Sequence, residues 1–160
     1  MSPSKPDPQP AAARRAAETE LRLLIAKFAS AHQRLVSTAR RWLRKRLPTA
    51  HEVIYEYRDC FVISFSPSEH GYEGVCSLRG SEAGVRLYFN SVKRLPDPEK
   101  LLKGSGTQAR YVELETASTL SRSAIEELYD AALAQNGVPF ARTGKGSVTV
   151  RSTAAKKRRS

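Results

Sequence analysis

Cysteine is almost missing from this chain: Cys60 and Cys76 are the only two in 160 residues. Two cysteines make no disulfide framework, and neither sits in a CxxC pair or at a metal-ligand spacing, so both read as buried free thiols in a reducing compartment. Histidine numbers three, and no Cys/His pair stands at a diagnostic spacing. No apolar run approaches the ~18 residues of a membrane span. The opening MSPSKPDPQPAAARR lacks the apolar core of a secretory signal, and the chain reads as cytoplasmic. Gly-x-x-x-x-Gly-Lys is absent, as is any motif-grade nucleophile and base. Acidic residues are missing altogether from 138–160.

What is present in excess is positive charge. The net charge is +11, and its placement matters more than its size. Residues 1–48 carry a net +8, residues 49–137 a net −4 and residues 138–160 a net +7. A mildly acidic body with cationic ends attracts polyanions without any shaped site, although such runs also serve only as solvated surface.

Periodicity divides the chain into three parts. Residues 1–18 form a Pro-rich basic arm expected to be disordered, 19–150 a folded domain, and 151–160 a disordered basic tail. Leu21, Phe28, Leu35 and Trp42 recur every seven residues, but Ser30 and Gln33 fit a capping box, which splits the stretch into two helices. Thr49 and Glu52 suggest a short helix entering a strand. CFVISFS, GVCSLRG, GVRLYFN and ARYVELE alternate as half-buried strands, with Arg86, Tyr88 and Asn90 on the face opposite Val85, Leu87 and Phe89. SRSAIEELYDAALAQNG is the clearest helix, with Ser123 and Glu126 as its capping box, and GSVTVRS adds a last edge strand. The expected fold is α+β in two layers: an antiparallel sheet of about five strands with helices packed on one face.

Three constellations compete for function. The loop KLLKGSGTQAR gathers Lys103, Gly104, Ser105, Gly106 and Arg110 as an anion site would. However, Asp97-Pro98-Glu99 reads as a helix start and Gly104 as a helix end, so the loop would meet the negative end of a dipole. A turn is the better reading. Glu52 and Glu56, with Asp59, could meet a hard cation, but a solvated helix face is the default. His32 falls on the apolar stripe of its helix and reads as a satisfied, half-buried residue. The plainest functional feature is basic. Arg40, Arg41, Arg44, Lys45 and Arg46 decorate the second helix, and Lys156, Lys157, Arg158 and Arg159 end the chain. Contiguous Lys and Arg bind phosphate backbones by counterion release, without reading sequence. Aromatic stacking residues are not interleaved with these runs.

HEVIYEYRDCFVISFSPSEHGYEGVCSLRG and GVRLYFNSVKRLPDPEKLLKGSGTQARYVELETA resemble the YdhG-like domain family of small bacterial proteins, over about residues 19–137. The most specific part is LPDPEKLLKGSGTQAR. The resemblance implies a two-layer α+β fold and supplies no catalytic residue. Some YdhG-like proteins are described as frataxin-like iron chaperones, which rely on an acidic ridge at the first helix. Here Arg14, Arg15, Arg22, Lys27, Arg34 and Arg40 face only Glu18 and Glu20.

These features together point to a binding module rather than an enzyme, with no cofactor and no membrane partner. Its basic arms would engage nucleic acid or another polyanion. A metal chaperone and a small-anion binder at the 100–110 loop are the alternatives.

Overall fold

The computed structural model describes residues 4–90, 95–104 and 109–152. Two helices come first, α1 (Ala11–Ile25) and α2 (Ser30–Arg46). A meander follows: β1 (His51–Glu56), β2 (Cys60–Ser66), β3 (Cys76–Ser81) and β4 (Gly84–Phe89) pair in turn, each antiparallel to the last, and β5 (Arg110–Leu114) joins β4. Helix α3 (Ser123–Gln135) then leads to β6 (Val148–Ser152), which lies parallel to β1. The sheet order is β5-β4-β3-β2-β1-β6.

The α+β class with helices on one face therefore holds, but the sheet has six strands and is mixed, not five and antiparallel. Alternation along a strand reveals which side chains are buried, not which way its neighbour runs. The chain leaves β5 at one edge and reaches the other edge only after α3, and that crossover sets the parallel pair.

Helix α1 starts at Ala11 rather than Thr19, because AAARRAA is built from good helix formers directly after Pro10. The break before α2 is real, yet no side chain caps either helix start there. Ala29 is the cap residue, and Gln33 reaches back to the Phe28 carbonyl, 2.7 Å away, not to Ser30. Similarly α3 begins at Ser123 with no side-chain cap bond.

Register separates the two faces of the sheet. Ile54, Ile63, Leu78, Leu87 and Val112 form one transverse row, and all five are buried. They join one core with Leu21, Val36 and Leu43 from the first two helices and Ile125 and Leu128 from α3. Fully burying each such side chain is worth about 1.5–3 kcal/mol, which pins the helices to this face. Phe28 sits against Phe61 at 5.7 Å and Trp42 edge-on to Tyr129 at 5.5 Å, so the seven-residue stripe is core packing.

Two expected short helices do not form. Residues 51–56 are strand throughout, as β-branched Val53 and Ile54 favour, and Thr49 donates to the Ala141 carbonyl instead of capping. Asp97 has no helix to cap: its carboxylate accepts instead from the amides of Leu101 at 2.7 Å and Leu102 at 3.0 Å, beyond a turn at Pro98-Glu99. Lys100, at φ 55°, then turns the chain out of the helical path after a single turn.

Candidate nucleic-acid interface

The basic surface expected on α2 is largely spent inside the molecule. Arg40 donates from Nε to Glu52 at 2.6 Å and from both Nη atoms to Glu18 at 2.8 Å. Arg44 adds bonds to the same two carboxylates at 2.6 and 2.7 Å. Glu52 is only 3% exposed, so its charge depends on these guanidinium partners. Burial alone would push the Glu18 carboxyl up, but the hydrogen bonds and charges of Arg40 and Arg44 hold it down at about 2. Arg46 pairs with Glu126 and lies over the Trp42 ring, 3.7 Å from its centroid. Only Arg41 and Lys45 of the five face solvent fully. Lys156, Lys157, Arg158 and Arg159 lie outside the described residues.

The carboxylate trio does not assemble. Glu52 belongs to the arginine cluster, and Glu56 is 4.0 Å from Lys27. Among the described residues no group of three His, Cys, Asp or Glu side chains is placed to hold a metal ion. Both cysteines are free, and burial raises the Cys76 thiol far above its usual range.

The loop of the proposed anion site turns out to prolong the sheet. Lys103 and Tyr111 exchange backbone hydrogen bonds of 2.7 and 3.1 Å, so residue 103 pairs beyond β5. Gly104 takes φ +97°, the positive value expected of it. Lys103 stands opposite Tyr111, whereas Arg110 stands opposite core-facing Phe89. Alternation therefore sends Lys103 and Arg110 to different faces of the sheet. Ser105 and Gly106 lie outside the described residues.

The unforeseen assembly is on the sheet face away from the helices. One row there runs Lys103, Tyr111, Tyr88, Ser77 and Ser64, and the next runs Glu113, Arg86, Arg79 and Val62. The Tyr88 and Tyr111 rings lie 5.1 Å apart, and the Arg86 guanidinium lies 4.2 Å from the Tyr111 centroid. Arg86 also meets Glu113 at 3.1 Å. Arg79, directly opposite Arg86, has no carboxylate or hydrogen-bond partner among the described residues. Like charges directly opposite on a sheet destabilise it, so this pair works against folding.

The β1–β2 half of this face is covered, since Ser64 donates to the Gly71 carbonyl and Gly71 abuts the Tyr55 ring. The helices all lie on the other side of β3–β5. Arg79 also reaches a cleft of about 550 Å³ at the end of the sheet, shared with Lys27, His32, Arg58, Asp59 and Ser81. His32 is half-buried as expected, but its Nδ1 has no partner among the described residues, contrary to a satisfied core histidine.

The sequence placed Arg86 and Tyr88 on one face. What it withheld was register, which brings Tyr111, Arg79 and Lys103 beside them. Among the described residues no helix is long and apolar enough to cross a membrane. Comparison of the chain with known proteins found no matching family, no similar curated protein and no similar solved structure.

Proposed function

We propose that this protein is a non-enzymatic binding module for polyanions, nucleic acid foremost, acting in the cytoplasm. One observation carries the reading. Once the internal ion pairs are made, surplus cations stand at the surface without carboxylate partners among the described residues, Arg41, Lys45, Arg58, Arg79 and Lys103 among them. A net charge of +11 spread in this way attracts phosphate backbones through counterion release. The likeness to YdhG-like domains belongs to the same proposal and rests on LPDPEKLLKGSGTQAR.

The test is fluorescence anisotropy of labelled duplex DNA and duplex RNA, titrated with the full chain at 50 and 200 mM salt. About six phosphate contacts would weaken binding roughly a thousandfold between these two salts. A full-length variant with Lys156, Lys157, Arg158 and Arg159 changed to alanine should show a shallower salt slope by about three to four contacts. Failure of the unaltered chain to bind either duplex at 50 mM salt would refute the proposal.

A further inference from the structure

The β3–β5 face away from the helices combines two features that duplex binding does not need. Phosphate contacts require only cations at the surface, yet here two tyrosine rings lie side by side among them. Neither ring is consumed by the core, which gathers on the other face. Arg79 and Arg86 oppose each other at a cost to the sheet, and among the described residues only Arg86 is compensated, by the Tyr88 hydroxyl, Glu113 and the Tyr111 ring. A half-buried guanidinium in that setting, without a partner among the described residues, is relieved by an anion.

We propose that this face binds single-stranded nucleic acid, with unstacked bases on the Tyr88, Tyr111 and Arg86 planes and the phosphodiester backbone held by Lys103 and Arg79. The inference rests on the polyanion reading and narrows it to one surface and one class of strand. Every base has a flat face, so aromatic rings and guanidinium planes hold single strands with little regard to sequence. A base paired within a duplex cannot offer that face. Three strand spacings of about 4.8 Å separate the Lys103 segment from β3, giving roughly 14 Å, the reach of two or three nucleotides. Glu113 closes one end of the Arg86–Arg79 row, so the backbone must pass on the Lys103 side and leave over Arg79. Beyond Arg79 lies the cleft where Lys27 and Arg58 are balanced by Asp59 and Glu82, so the cationic path ends at Arg79.

The experiment compares oligo-U and oligo-dT 12-mers with duplexes of equal length, by anisotropy at 100 mM salt with the full chain. Single strands should bind at least about tenfold more tightly than the duplexes. Tyr88→Leu and Tyr111→Leu should each weaken single-strand binding about five- to a hundredfold, as loss of one stacked base does, and leave duplex binding unchanged. Arg79→Ala should lower the salt slope for single strands by about one contact. Trp42 fluorescence melts of each variant identify any loss that comes from unfolding, and Tyr88→Phe, which keeps the ring, should bind like the unaltered chain. Duplex binding that persists while single strands bind no better, or bind the folded tyrosine variants equally well, overturns this inference and leaves the polyanion proposal standing. Absence of all binding at low salt overturns both.

Discussion

Replacing Arg40 by methionine tests whether α2 is an interior strut or an exposed basic face. Arg40 makes three of the five hydrogen bonds that hold Glu18 and Glu52. Methionine keeps the aliphatic stem and removes the charge. Glu52, almost fully buried, then retains Arg44 alone. Breaking a buried ion cluster from one side costs about 3–5 kcal/mol, because a charge is left without compensation. Arg41, the next residue, is exposed, and Arg41→Met should stay within about 0.5 kcal/mol. Urea unfolding followed by Trp42 fluorescence would separate the two. With a slope of about 2 kcal/mol per molar, Arg40→Met should lower the midpoint by about 2 M, and Arg41→Met should hardly move it. A loss under about 1 kcal/mol for Arg40→Met, or equal losses for both, would refute the account of the cluster.

Glu18→Gln should cost about 2 kcal/mol at pH 7, less than its depressed pKa implies because its side chain is 24% exposed. A carboxylate lowered to about 2 from 4.5 stabilises the fold above pH 4.5 and loses that contribution as pH falls towards 2. The difference between variant and parent should therefore shrink across that range in urea melts. His51 is held neutral by burial, opposed by the charge of Glu69, and its Nδ1 accepts from the Ser147 amide at 3.1 Å. Protonation below pH 6.5 cannot keep that bond, so amide protection factors in β6, corrected for intrinsic rate, should fall with acid before those in β3 do. Gly80→Ala would drive a methyl into the Phe61 ring, and a loss of about 1–3 kcal/mol is expected in thermal melts. Lys100→Gly should raise stability by up to about 1 kcal/mol, since glycine adopts φ 55° without strain.

The sequence was most legible where burial follows a simple period. The two-faced alternation of GVRLYFN, the stop at Gln135 and the break near Ser30 all match the structure. It misled where one short pattern serves two purposes. Thr49 and Glu52 have the spacing of a capping box, but Glu52 is needed by two arginines of α2, so the segment extends as strand. Arg40, Arg44 and Arg46 look alike to Arg41 and Lys45 along the chain, and only tertiary packing sorts inward from outward. The tyrosine–arginine face was hidden for a similar reason, because Arg79, Tyr88, Tyr111 and Lys103 lie in four separate segments joined only by strand register.

Among the described residues strand β6 has a neighbour on one side only, and Gln9 attends to the other. Its amide donates to the Val148 carbonyl at 2.8 Å and accepts from the Val148 amide at 2.9 Å, so one side chain mimics a residue of a missing strand. Folding order follows from this arrangement. β1 to β4 can zip together through short hairpins, but β1 must wait for a partner about a hundred positions away, and such distant closures come late. Until β6 docks, β1 is an open edge bearing Val53 and Ile54, which invites the sixth strand of another copy. Refolding at high protein concentration should thus yield strand-exchanged dimers. Gln9→Ala, which loosens the latch on β6, should increase their share.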